Sequence, residues 1–153
     1  GNYPEEIEKI VRKYNISPLL ITLEILEDIA ASDTEQINHQ INTLRKIGFR
    51  ISMDDFGSGY SSLNMLYSLK IDELKLDRGF MRRVAGVDEE RRKIILKQII
   101  SFAKKLGITT VAEGIETEED RDNMAALSCA YGQGYFFDKP TEAGEFSRLY
   151  ILK

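Results

Sequence analysis

The stretch ISMDDFGSGYSS, Ile51 to Ser62, decides how the rest of the chain is read. Ile51, Ser52 and Met53 have the character of a short buried strand. Two adjacent carboxylates, Asp54 and Asp55, follow where that strand should stop. The turn Phe56-Gly57-Ser58-Gly59-Tyr60 comes next, and its glycines allow backbone angles closed to other residues. Side chains alternate between the two faces of a strand. At its end the chain is already turning, so both carboxylates can reach one mouth. Two anions that close repel, and one protonates unless a cation lies between them. On this stretch alone two readings stand: an Asp N-cap for a following short helix, or a metal-binding strand end.

Working outward, strand and helix patterns alternate. Pro4 to Tyr14 reads as a helix with an apolar stripe of Ile7, Ile10, Val11 and Tyr14. Leu19 to Ile25 reads as a strand covered on both faces. Ser32 and Glu35 form a capping-box pair before a helix carrying Ile37, Ile41, Leu44 and Ile47, which Gly48 ends. After the strand Arg50 to Met53, a short helix is expected over Ser61 to Leu69, with Leu63, Leu66 and Leu69 inward. Ile71 to Leu76 is the third strand. Glu89 to Leu106 is a long helix whose inner face is read as Ile95, Ile99, Phe102 and Leu106. Ile108 to Ala112 is the fourth strand, and Thr117 caps a helix to Leu127 whose first turn is acidic. A fifth strand near Ala130 to Tyr135 and a helix from Thr141 to Leu152 close the chain.

Five strand-then-helix steps predict an α/β fold with a parallel sheet. Each strand ends on polar groups: Glu24 with Glu27, Asp54 with Asp55, Lys75 with Asp77, Glu113 with Glu116, and Gln133. In a (β/α) barrel those ends share one rim, where chemistry resides. Five unrelated caps are a poor alternative, because buried unpaired charge is costly. A shared metal and anion site is the reading that accounts for all five.

Composition narrows the chemistry. Of 153 residues, 42% are hydrophobic and 30% charged, ordinary for one globular domain with a real core. A net charge of −4 argues against a surface for duplex nucleic acid. One cysteine, Cys129, and one histidine, His39, exclude an internal disulfide framework and nearly exclude zinc. Any metal must therefore be held by oxygen, which favours Mg2+ or Mn2+. Cys129 is expected to be a buried small hydrophobe, and His39 a surface residue. The lone cysteine makes a reducing cytoplasmic setting the expectation, and neither an apolar run long enough to span a membrane nor a signal peptide is visible. Gly1 before Asn2 resembles a tag-cleavage scar.

Taken together, LEILE (Leu23 to Glu27), MDDFGSGYSSL (Met53 to Leu63), LKLDRGF (Leu74 to Phe80), VAEGIET (Val111 to Thr117) and YGQGYFFDKP (Tyr131 to Pro140) resemble the EAL-domain family. These are the cyclic-di-GMP phosphodiesterases of bacterial signalling. The resemblance implies a TIM-like (β/α) barrel and hydrolysis of cyclic-di-GMP to the linear dinucleotide. It implies Glu24 and Asp54 as metal ligands, with Asp55 and Glu113 serving a second metal, Glu113 alternatively acting as general base. Lys75 would hold the attacking water and offset phosphate charge, and Gln133 would orient water or phosphate. Asp77 and Glu116 would stand behind these groups, and Glu27 would brace the loop from Asp55 to Ser62.

The chain also departs from the family pattern. The Glu-Ala-Leu tripeptide and the Asn strand that supply earlier ligands are absent. Asn15-Ile16-Ser17 lies too close to Glu24 to be that strand, since a βαβ step needs about 30 residues. Leu26 and Ser58 stand where the family usually has Thr. Residues 1–153 are accordingly expected to form the C-terminal part of one barrel, about five strands. Open edges predict a homodimer or strand-exchanged assembly. Hydrolysis by this chain alone is expected to be impaired, and a non-catalytic cyclic-di-GMP-binding or protein-interaction module is the alternative. The parent protein is free to be membrane-tethered through other domains.

Overall fold

The computed structural model describes residues 3–27, 29, 34–57, 63–80 and 88–152. Ser32, Ser58 and Ser61, together with the Leu63 side chain, lie outside what is described. Five strands form one parallel sheet: β1 (Thr22–Leu26), β2 (Arg50–Phe56), β3 (Glu73–Leu76), β4 (Thr109–Ala112) and β5 (Tyr131–Gly132). Their spatial order is their chain order. A doubly wound sheet reverses its strand order at a switch point, whereas a barrel adds each strand beside the last. The sheet follows the barrel rule.

The described helices are α1 (Tyr3–Lys13), α2 (Thr34–Ile47), α3 (Leu63–Ser68), α4 (Glu89–Lys105), α5 (Glu118–Ala126) and α6 (Ala143–Phe146), which runs into a π-helical turn over Ser147–Ile151. Thr117 and Asp120 form a reciprocal capping box at α5, and Asp88 caps α4 through the Glu90 N–H. Ile51, Met53 and Leu74 are wholly buried beneath Ile41 and Leu44 of α2 and Leu96 and Ile100 of α4. Leu66 and Leu69 are buried beside them as expected. His39 is exposed.

Several boundaries differ from the sequence reading, each for a physical reason. Leu19 and Leu20 do not open β1. They sit in a 3-10 turn begun by Pro18, 70% and 82% exposed, because proline fixes φ and removes a donor from any ladder. β1 is not covered on both faces either, since Glu24 and Leu26 are exposed along it. Of the stripe read along α1, Ile7 and Val11 face the core, while Ile10 and Tyr14, just past the helix end, point to solvent. In α4 the buried positions are Leu96, Ile100 and Ala103, with Ile95, Phe102 and Leu106 exposed. Two apolar stripes overlap along that helix, and packing selects the one rotated by a residue. β5 is much shorter than Ala130 to Tyr135, and Cys129 is only half-buried.

β2 runs beyond Met53 to take in Asp54, Asp55 and Phe56. Its pairing with β3 passes from Met53↔Leu74 to Phe56↔Leu76, so one extra residue is accommodated there. Asp55 carries the consequence, with φ at +57°. Asp is among the few side chains that tolerate the left-handed region. A bulge of this kind re-aims a side chain, and here it turns Asp55 toward the mouth that Asp54 also faces.

Candidate metal and phosphodiester site

The C-terminal ends of β1 to β4 converge on Lys75. This side chain is buried, reached from β3, and its Nζ donates to Glu24 Oε1 at 2.8 Å. The same nitrogen lies 2.7 Å from Asp54 Oδ1 and 2.8 Å from Glu113 Oε1. One ammonium thus gathers carboxylates from three other strand ends. From beyond β5, Gln133 Nε2 donates to Glu113 Oε1 at 2.5 Å. Gln133 reaches this place because its backbone pairs with β4, its N–H donating to the Ala112 oxygen and its own oxygen accepting from Ile115. Gly134 makes that approach possible. A Cβ there would meet the Ile115 oxygen at 2.2 Å, and its φ is +155°.

Electrostatics in this cluster are set by burial against pairing. Burial pushes Lys75 down, but its contacts with Asp54, Glu113 and Glu24 outweigh this and hold the ammonium above its ordinary range. Burial pushes Glu113 up, Lys75 opposes that, and repulsion from Asp54 and Asp55 leaves the carboxyl above its usual value. Asp55 is raised by burial and then by the charges of Asp54 and Asp77. The site as it stands carries more negative charge than one lysine neutralises.

Asp54, Asp55 and Glu113 each offer an oxygen, all within 4.8 Å of one another. Asp54 Oδ1 is fully buried and ion-paired with the Lys75 ammonium at 2.7 Å, and among the described residues Ser52 Oγ is buried without a hydrogen-bond partner. Three carboxylates share this one ammonium, and a bound divalent ion offsets the surplus negative charge. Hard carboxylate oxygens suit Mg2+ or Mn2+ rather than a soft metal. The donor set therefore fits a divalent ion. Glu24 stands outside the triad and joins it through Lys75.

The other residues singled out in the sequence lie as follows. Glu27 is buried and its Oε2 accepts the Gly57 N–H at 3.1 Å, tying the end of β1 to the turn after β2. Asp77 Oδ1 accepts the Gly79 N–H at 2.7 Å. Glu116 pairs loosely with Arg78, 3.8 Å apart, and its N–H donates to Asp120. A cavity of about 960 Å³ opens over the cluster, and Asp55, Asp77, Glu113, Glu116 and Gln133 all line it. Arg78, Lys139, Asp138 and Tyr150 line the same cavity, and the sequence reading assigned none of them. Tyr150 donates to Asp138, which holds that carboxyl below its usual range. The DRG and DKP runs inside the quoted motifs were the signal available for Arg78, Asp138 and Lys139. Nothing marked Tyr150.

Comparison with known proteins gives the chain's family. Residues 2–140 match the family model described as EAL domain. The chain is 37% identical over 135 residues to the probable cyclic di-GMP phosphodiesterase PdeG of Escherichia coli, covering 88% of this chain and 26% of that protein. The EAL domain of Mycobacterium smegmatis DcpA superposes with a TM-score of 0.86 at 31% identity, covering 96% of this chain and 65% of that one. The manganese and cyclic-di-GMP complex of Klebsiella pneumoniae BlrP1 superposes at 0.80 and 27% identity, over 89% and 34%. This chain spans less than two thirds of each. Its strand ends, its sheet order and these likenesses agree that the chain belongs to the EAL domain family.

Proposed function

We propose that this site belongs to a metal-dependent phosphodiesterase that opens cyclic-di-GMP to the linear dinucleotide, and that the chain is the C-terminal part of the catalytic barrel. The carrying observation is the convergence of Glu24, Asp54 and Glu113 on Lys75, with Asp55 beside them at the mouth of one cavity. Asp54, Asp55 and Glu113 hold the cations, with Glu24 as a further ligand at the β1 edge. Bound Mg2+ or Mn2+ supplies Lewis acidity toward the phosphodiester and lowers the pKa of water.

The chain's own groups do the rest. An ammonium has three N–H groups, and Lys75 directs its charge at three carboxylates. To contact water or phosphate it must give up one of them. In the alternative role of general base, Glu113 is placed to take a proton from a water held by Lys75, whose Nζ lies 2.8 Å from its Oε1. Gln133, fixed on Glu113 through one N–H, keeps its second N–H to orient water or phosphate. Asp77 and Glu116 stand at the cavity wall, and Glu27 holds the turn that carries Asp55.

Since the Glu-Ala-Leu and Asn strands are not in this sequence, this chain alone should bind metal and nucleotide better than it turns the nucleotide over. Its open sheet edges favour self-association, a homodimer or a strand-exchanged assembly. Among the described residues no helix is long and apolar enough to cross a membrane. The test is calorimetric titration of cyclic-di-GMP with and without Mn2+, beside an assay for the linear product. Metal-dependent binding supports the phosphodiesterase reading. Equal binding without metal supports the receptor alternative instead.

A further inference from the structure

Among the described residues, seven groups with formal charge line the cavity: five carboxylates (Asp55, Asp77, Glu113, Glu116, Asp138) and two cations, Arg78 and Lys139. Lys75 is buried beneath this surface and engaged by three carboxylates. A cyclic dinucleotide has two phosphodiesters on opposite sides of one ring. Only one can sit at the Asp54, Asp55 and Glu113 cluster. The other needs a cation elsewhere in the cavity.

Arg78 fits that need better than Lys139. It follows β3 in a 3-10 turn over Arg78–Phe80, next to Asp77 and three residues beyond Lys75. Its stem lies on Gly114, the residue after Glu113; a Cβ at Gly114 would be 2.6 Å from Arg78 Cβ and 3.2 Å from its Cδ. That packing holds the stem next to Glu113, and the side chain lines the same cavity as Asp55 and Glu113. Glu116 lies 3.8 Å from Nη1, beyond hydrogen-bond reach, and the side chain is 49% exposed. Among the described residues Arg78 donates no side-chain hydrogen bond, so its planar fork of five N–H groups is available to a phosphate. Lys139 Nζ instead lies over the Tyr135 ring, 5.5 Å from its centroid.

We propose that Arg78 anchors the second, non-reacting phosphodiester of the ligand and so makes the site selective for two-phosphate cyclic dinucleotides. This rests on the cyclic-di-GMP reading above.

The test compares cyclic-di-GMP with GpG, a linear dinucleotide having a single phosphodiester, by calorimetry on the whole chain in Ca2+. The wild-type chain should prefer cyclic-di-GMP. Arg78→Gln should weaken cyclic-di-GMP about tenfold, the loss of one charged contact, and leave GpG unchanged. Arg78→Lys keeps charge without the fork and should fall between. Because Arg78 is half exposed, both variants should melt with the wild type. Equal losses for the two ligands, or no loss for either, would overturn the assignment. A wild-type chain that binds neither dinucleotide overturns the functional reading and this one with it. A wild type that binds both with no change in Arg78→Gln overturns the Arg78 role alone.

Discussion

At the centre of the sheet Ile51, Met53 and Leu74 are fully buried, whereas at its edges Leu26 of β1 and Tyr131 of β5 remain 47% and 66% exposed. The charged residues follow the same division. Lys75 and Asp54 come from the covered strands β2 and β3, where low dielectric strengthens an ion pair and penalises a lone charge. Glu24, from the edge, is the exposed partner of Lys75. The centre thus has one stable arrangement of side chains, held by packing and by mutual neutralisation. The edges offer apolar surface and, among the described residues, no second strand partner, a template for another strand.

This contrast is broken most readily at Leu74. Leu74→Ala should lower the unfolding free energy by about 3–4 kcal/mol in urea melts, as a cavity opens that the sheet cannot collapse into. Lys75→Met should cost about 3 kcal/mol without metal, since Asp54 and Glu113 lose their counter-ion, the lower end for a buried pair because Glu24 is exposed; added Mn2+ should recover part of it. Glu27→Ala should cost about 2 kcal/mol by removing the buried carboxylate that accepts the Gly57 N–H. Thr117→Ala should remove the α5 cap at about 1 kcal/mol. Leu26→Ala, at the edge, should cost less than about 0.5 kcal/mol. Comparable losses for Leu74 and Leu26 would erase the distinction between centre and edge.

Asp120 supplies a pH signature at that same cap. Burial pushes its carboxyl up, but the Thr117 hydroxyl and the Glu116 and Thr117 N–H groups outweigh this and hold it below its ordinary value. A carboxylate with a lowered folded pKa stabilises the fold above its unfolded value, 3.8, and that contribution fades as pH falls through the lower folded value. Acid unfolding curves of wild type and Asp120→Asn should therefore converge at the lowest pH.

The centre was also the more legible half of the molecule. Ile51 to Met53, Leu74 to Leu76 and Val111 to Ala112 are short, mainly apolar stretches followed by charge, with Lys75 inside the second, and stretches of that kind at successive steps fit little besides the middle of a parallel sheet. The edges were less legible. Leu19 and Leu20 are as apolar as any core pair, and only Pro18 and the lack of an outer partner distinguish them. In α4, Ile94, Ile95, Leu96, Ile99, Ile100 and Phe102 leave two faces equally apolar, and the sheet rather than the periodicity chooses between them. At the site, the order of strand ends pointed to Glu24, Asp54, Lys75, Glu113 and Gln133. The left-handed Asp55 and its bulge are backbone events, and the Tyr150 contact with Asp138 joins residues whose pairing no local pattern encodes.

Crystals grown in Mn2+ and measured at the manganese absorption edge bear most directly on the claim that these strand ends form one cation site. An anomalous peak bounded by Asp54, Asp55 and Glu113, lost in Asp54→Asn, is the predicted result. Saturating Mn2+ with no peak among those three carboxylates, or a peak that persists unchanged in Asp54→Asn, would contradict it.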